Sequence, residues 1–293
     1  MNRAKILNFY LTAEKRARVA VAGGILPRVA QAARTAGFQV ELKDLDDPVD
    51  GDGYHLVYNR AVTEPFCLCL RRCYMDPFYR IEDTNDRWNW QVAERTFTPR
   101  PAFSEEEGFR NRWRNKLFDH AEITCQGHIF MPLQGRLLTR RHFQAFSPIE
   151  MIHQTLGADP TRRIIATLHP GETYSGAELA ALDAIAGRFE IVDKPSISVL
   201  ANCDYVVTQN SALALTGFFA DKPAVLFAKS DFHHVAASVP AVGIGAAFKA
   251  VLGEKAQFAA YLHWFFKRNA ITSWADDAVD QIRQRFREHG WPM

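Results

Sequence analysis

Two short stretches constrain this chain more than any others: Ile164-Ile-Ala-Thr-Leu-His169-Pro170-Gly171-Glu172 and Tyr205-Val-Val-Thr-Gln-Asn210-Ser211. Each is an apolar run that stops at a small cluster of hydrogen-bonding groups. Such a run is expected to be a parallel strand buried on both faces, and the cluster its C-terminal loop. Open α/β sheets bind ligands at that edge. Between the two, Gly176 to Arg188 sets Leu179, Leu182, Ile185 and Ala186 at helical spacing. Phe189-Glu-Ile-Val predicts a further strand, Asp193-Lys194-Pro195 its loop, and a short helix runs through Val199 and Leu200. Beyond Ser211 a helix is expected to Ala220, then a strand in Lys222-Pro223-Ala-Val-Leu-Phe227. This alternation is half of a doubly wound α/β domain.

The chain has 293 residues, 47% of them hydrophobic, enough for one large or two modest folded domains. Lys plus Arg number 35 against 33 Asp plus Glu, a balance that argues against general nucleic-acid binding. No stretch approaches the ~18 apolar residues of a membrane span. The N-terminus, Met-Asn-Arg-Ala-Lys-Ile-Leu, has a charged start without the long apolar core of a signal peptide, so a cytoplasmic protein is expected. Five cysteines, an odd number, fit reduced thiols.

The first third reads as a second α/β unit. Lys5 to Leu11 is strand-like, and Arg18 to Gly24 is a second strand candidate or part of the first unit. Gly23-Gly24-Ile-Leu-Pro27 opens a helix carrying Val29, Ala32 and Ala33, ending at Gly37; Phe38 to Leu42 and Tyr54 to Tyr58 are strands. The full dinucleotide fingerprint is missing, so no cofactor is expected at the glycines. Asp46-Asp-Pro-Val-Asp-Gly-Asp-Gly53 is a loop that lacks the register and closing glutamate of a calcium site. Cys67, Cys69 and Cys73 fit no zinc template and read as buried thiols near a strand. From Tyr74 to Trp90 aromatics, acids and arginines interleave, a composition suited to a sugar acceptor surface. The plainer alternative makes Trp88, Trp90 and Trp113 core residues with Arg–acid pairs around them. Arg110 to Phe118 is a helix with a basic face.

A strand from His128 is expected to start the second domain, so the boundary is set near residue 125. Ser147-Pro148 caps a helix through Met151, Ile152 and Leu156. The stretches 246–252, 256–268 and 275–289 are helical, the last with Val279, Ile282 and Phe286 in phase. The adjacent His233 and His234 are expected to point apart, which disfavours a shared metal.

His169-Pro170 after a strand, Asn210-Ser211 opening a later helix, and Asp221-Lys-Pro-Ala-Val before another strand resemble the C-terminal half of GT-B glycosyltransferases. The likeness is to bacterial capsular polysaccharide synthesis proteins, including their Kdo transferases, and to sialyltransferase-like His-Pro and Asn-Ser motifs. Phe130-Met-Pro132-Leu133-Gln134 followed by Phe146-Ser147-Pro148-Ile-Glu-Met151 is similar to that family's passage into its second domain. Tyr261-Leu-His-Trp264-Phe-Phe-Lys-Arg-Asn269 is similar to its C-terminal helix. The likeness covers roughly residues 125–270 and rests on order and spacing. It implies a GT-B-like α/β fold of two Rossmann-like lobes with a helical C-terminus: residues 1–125 on the acceptor side and 126–293 binding a nucleotide-sugar donor. In such folds the C-terminal helix often packs back on the first domain. The implied activity is transfer of a sugar from a nucleotide-activated, CMP-linked donor to a surface or capsular glycan acceptor. Peripheral association with a membrane assembly complex is compatible with it.

Such a transfer needs the leaving phosphate neutralised, the donor held, and a group to take the acceptor proton. His169 can donate to a phosphate oxygen; in the transferases it resembles, a His-Pro pair contacts the cytidine monophosphate. Pro170 would fix the loop. Asn210 and Ser211 mark a helix start, where N–H groups and a partial positive charge meet anions. The plainer readings are a strand end and an ordinary N-cap. Glu172 and Lys194 join these as donor-site candidates. No Asp-x-Asp stands beside the donor strands, Asp50 and Asp52 lying in the other domain, so neither metal nor cofactor is expected. Glu82 and Asp83, then Asp76, are the candidate catalytic acids. The rival reading is a non-catalytic protein of the same fold that binds a glycan or nucleotide. A hydrolase built on His233 and His234 lacks a suitably spaced carboxylate.

Overall fold

The computed structural model describes residues 3–253 and 256–293. They form two compact units, Met1–Arg95 with Trp264–Met293, and Thr96–His263. Each is built on a six-stranded sheet.

In the first unit the chain runs β1 (Ile6–Leu11), α1 (Ala13–Arg18), α2 (Ile25–Thr35), β2 (Gln39–Asp44), β3 (Tyr54–Tyr58), β4 (Cys67–Arg72), β5 (Phe78–Glu82) and α3 (Gln91–Glu94). Strands β2, β1, β3 and β4 are parallel neighbours, and β5 adds antiparallel to β4. Leu7, Phe9 and Leu11 alternate onto one face of β1 and are fully buried with Val29, Ala30 and Ala33 of α2. Gly23 and Gly24 take φ of 94° and 79°, a left-handed turn that L side chains rarely adopt, and α2 starts directly after it. Residues 18–24 therefore supply the end of a helix and a turn, not a second strand. Cys67 and Cys69 are buried on β4, where loss of solvent pushes their thiols up to about 12 and about 11.

The chain's end belongs to the same unit. Strand β12 (Ile271–Thr272) pairs antiparallel with β5, and α12 (Ala278–Glu288) puts Ile282 and Phe286 into the core beside α2. Phe286 stacks on Trp291 with ring centroids 4.8 Å apart. Buried Arg80 of β5 donates to the carbonyls of Phe265 (3.1 Å) and Asn269, fastening the returning segment. Trp90 is fully buried in this unit, and its indole donates to Thr84 O.

The second unit contains α4 (Ser104–Phe118), β6 (His128–Leu133), α5 (Pro148–Ala158), β7 (Arg163–Leu168), α6 (Gly176–Asp183), β8 (Phe189–Ile191), α7 (Ser196–Asn202), β9 (Tyr205–Thr208), α8 (Ala212–Phe218), β10 (Ala224–Leu226), β11 (Ala237–Ser238), α9 (Val239–Val242), α10 (Ile244–Val251) and α11 (Phe258–His263). Its strands are all parallel in the order β8-β7-β6-β9-β10-β11. The chain builds outward from β6 to β8, returns past β6 to β9, and builds outward the other way. The direction reverses between β6 and β9, the topological switch of a doubly wound sheet.

The second sheet starts at β6, just past residue 125, yet the compact units divide at Arg95–Thr96. Helix α4 is the reason. Its Phe109 and Trp113 rings pack on Phe219, and Arg110 Nη1 donates to both carboxylate oxygens of Asp221 at 2.7 and 2.9 Å. Lys222, 2% exposed, donates to the carbonyls of Cys203 (2.7 Å) and Thr124. The Asp221-Lys222-Pro223 piece thus secures residues 96–125 to the second sheet, and part of the basic face of α4 is consumed there.

Candidate functional site

The C-terminal edge of the second sheet gathers the loops after β6, β7, β8, β9 and β10. The loop after β6 (134–147) is tied to both sides of the switch. On the β7 side, Glu178 accepts from Leu137 N (2.6 Å), Ser175 N (2.8 Å) and Ser175 Oγ (2.9 Å). Those donors, the Ser175 amide first, hold the Glu178 carboxyl below its ordinary pKa. Tyr174 Oη bridges His169 N (2.9 Å) and Leu133 O (3.4 Å). On the β9 side, Gln209 Nε2 donates to Phe146 O (3.0 Å), and Ala145 N donates to Phe227 O (2.8 Å).

His169 follows β7 directly and is exposed. Gly171 N–H donates to its Nδ1 at 3.1 Å. An imidazole that accepts at Nδ1 carries its proton on Nε2, so the outward nitrogen is a donor. Pro170 is exposed beside it. Glu172 turns back to the β6 loop: a methyl group on Gly135 would stand 2.2 Å from Glu172 Oε2. His169, Glu172 and the β6 loop therefore form one corner.

Asn210 and Ser211 follow β9, across β6 from His169. Ser211 N-caps α8, its hydroxyl accepting from Leu213 N at 3.3 Å, and Asn210 Nδ2 donates to Lys229 O at 3.1 Å. The spacing of parallel strands puts the ends of β7 and β9 roughly 10 Å apart. Lys194 is exposed at the same edge but follows the outermost strand, β8, farther from the switch. A cavity of about 490 Å³ opens beside the Asn210 corner, between the β6 loop, Lys229 and the start of α10.

The candidate acids all lie in the first unit. Glu82 is 4% exposed, accepts from Gln91 N (3.1 Å) and lies 4.0 Å from Arg80. Burial raises its pKa, with Arg80 opposing. Because β5 runs antiparallel to β4, it carries Glu82 back along the sheet to face Cys69, level with Val57 of β3 and Tyr10 of β1, and exposed Asp83 follows it. Asp76 sits in the turn between β4 and β5, at the C-terminal edge of the parallel strands, exposed, accepting from Tyr79 Oη and paired with Arg72 at 3.3 Å. Glu14, in the first turn of α1 after β1, is an exposed acid at that same edge that the sequence reading passed over. His233 and His234 do not point apart. Their rings stack at 4.3 Å in a short 3-10 turn, bound to Ser230 O and Tyr261 Oη. Among the described residues no group of three or more His, Cys, Asp or Glu side chains is placed to hold a metal ion. No described helix is long and apolar enough to cross a membrane.

No protein-family model matches the sequence, and no curated protein does. Solved structures do. The chain is similar to the β-Kdo 2,7-transferase of Thermosulfurimonas dismutans KpsC, at 13% identity and a TM-score of 0.51, over 95% of this chain and 98% of that one. It is also similar to the β-Kdo 2,4-transferase of the same KpsC, at 11% identity and a TM-score of 0.52, over 87% and 88% of the two chains. The fold is GT-B-like. Its two α/β lobes are the two units described above, and the C-terminal helix α12 belongs to the first of them.

Proposed function

We propose that the protein is a glycosyltransferase that passes a sugar from a nucleotide-activated, CMP-linked donor to a surface or capsular glycan acceptor. The observation that carries this reading is the His169 corner: an exposed imidazole with Nδ1 engaged and Nε2–H available, next to a topological switch. The shared fold of two Kdo transferases supports it.

In the proposed reaction an acceptor hydroxyl attacks the anomeric carbon. The new C–O bond forms as the bond to the donor phosphate breaks, and the phosphate leaves on the nucleotide. His169 Nε2–H donates to a phosphate oxygen and offsets its growing charge. Pro170 and Glu172 frame that corner, Asn210 and Ser211 bound the other side of β6, and Lys194 contributes charge at the outer edge. Protein groups, not a metal ion, neutralise the leaving group in this reading. The acceptor proton goes to a carboxylate base; of the three candidate acids Asp76 and Asp83 are exposed, whereas Glu82 is sealed.

The burial of Glu82 favours a second reading, a non-catalytic nucleotide- or glycan-binding protein of the same fold. Incubation with CMP-sugars and an oligosaccharide acceptor, followed by chromatography of the released nucleotide, separates the two. Acceptor-dependent CMP release supports transfer; tight binding with no release supports the second reading.

A further inference from the structure

None of the residues assigned to the donor site lines the cavity of about 490 Å³. Its polar wall is basic: Arg140 and His142 from the β6 loop, and Lys229 after β10. Among the described residues no carboxylate lines it. Gly243 and Ile244, at the start of the eight-residue helix α10, also face it, and Gly243 offers that helix no side-chain cap. The amides of the first turn therefore add donors and a partial positive charge on the same side. Phe143 and Phe146 supply an apolar wall on which a sugar or base face can lie.

The wall is held in place before any ligand arrives. Arg140 Nε donates to Gln144 O at 3.0 Å, and Arg141 N donates to Gln144 Oε1 at 2.8 Å. Lys229 N donates to Phe143 O at 2.9 Å, and Gln144 bridges Ala228 as an added strand rung. These bonds fix the backbone of the wall and the Arg140 guanidinium, which therefore loses little freedom on meeting an anion.

This cavity is a separate place from the His169 corner. No residue is shared between them, and the Lys229 wall follows β10, three strands from β7, roughly 14 Å at ~4.8 Å per strand. We propose that the cavity binds a second phosphate, carried on a nucleoside or a sugar. Donors from Arg, Lys, His and a helix start around one cavity suit a phosphate's three oxygens better than a carboxylate's two. The assignment of a second phosphate rests on the donor reading for where the first one sits; the charge of the cavity does not.

Titration calorimetry at low salt with CMP, CDP, glucose 6-phosphate, glucuronate and glucose, on wild type, Lys229→Gln, Arg140→Gln and His169→Ala, tests it. Both Lys229 and Arg140 are exposed, so the variants should fold as wild type does, which their thermal unfolding checks. Each of these two substitutions should weaken the binding of CDP or glucose 6-phosphate at the cavity about tenfold or more while leaving the His169-dependent binding of CMP unchanged. Loss confined to CDP identifies a nucleoside diphosphate as the source; loss confined to glucose 6-phosphate identifies a phosphorylated sugar. The proposal is overturned if neither ligand distinguishes the variants from wild type, or if glucuronate binds as tightly as glucose 6-phosphate. His169→Ala reads the donor site alone: unchanged CMP binding there removes the first phosphate and leaves the cavity result standing.

Discussion

Alanine at His169 removes one donor and little else, which makes its expected effect unusually well bounded. Nδ1 is occupied by the Gly171 amide, so the ring has one N–H to offer a ligand. A hydrogen bond to a charged group contributes about 1.5–3 kcal/mol, and CMP should therefore bind roughly 10- to 150-fold more weakly to His169→Ala. The fold should barely notice. The side chain is exposed, and the Gly171 amide it releases is exposed as well and can turn to water, so unfolding free energy should move by less than about 0.5 kcal/mol. Calorimetric titration with CMP, paired with urea unfolding of the same preparations, measures both quantities. Wild-type affinity in the variant refutes the phosphate-site assignment. A stability loss of several kcal/mol would refute the claim that the ring makes few internal contacts.

Four further outcomes follow from the same geometry. Ser211→Ala should cost about 1 kcal/mol of stability, since its hydroxyl caps α8, and should weaken CMP binding less than His169→Ala, as paired unfolding and titration would reveal. Nucleotide binding should survive EDTA; loss restored by Mg²⁺ would overturn the metal-independent reading. Burial alone would raise the Asp159 pKa, but donors from Arg162, Tyr205 and Thr161 outweigh it and hold the carboxyl well below its ordinary range. A depressed folded pKa gives stability that is complete above about pH 5 and lost as pH falls through and below ~4; Asp159→Asn should lose about 2–3 kcal/mol at pH 7 and flatten that acid limb in unfolding measured across pH. Gly53→Ala should destabilise more than Gly51→Ala: both have left-handed φ, but a methyl at 53 would meet Ile6 O at 2.6 Å while at 51 nothing lies within 4 Å, and equal unfolding midpoints would contradict this.

The alternating apolar runs were enough to specify local structure through most of the chain. A strand ending at His169 and a helix opening at Ser211 are both present, because buried parallel strands must be apolar on both faces and N-caps need a side-chain acceptor. Both positions were legible for that reason, and Ser175 with Glu178 form a capping box that sequence also carries. What the sequence alone did not determine depends on which strand lies beside which. Local pattern cannot reveal that β5 runs antiparallel, and it is this direction that carries Glu82 back along β4 to face Cys69 while Asp76 stays in the turn at the C-terminal end of β4. Nor does it show that α4 and the Asp221-Lys222 turn bind each other across more than a hundred residues, moving the compact boundary from residue 125 to 95. Lys229 and Arg140 carry no motif; only the strand order and the rungs between Phe143 and Lys229 bring them to one cavity. Spacing along the chain encodes which face a residue occupies, while long-range pairing chooses its neighbours, and those neighbours make a histidine, a lysine or a carboxylate into part of a site.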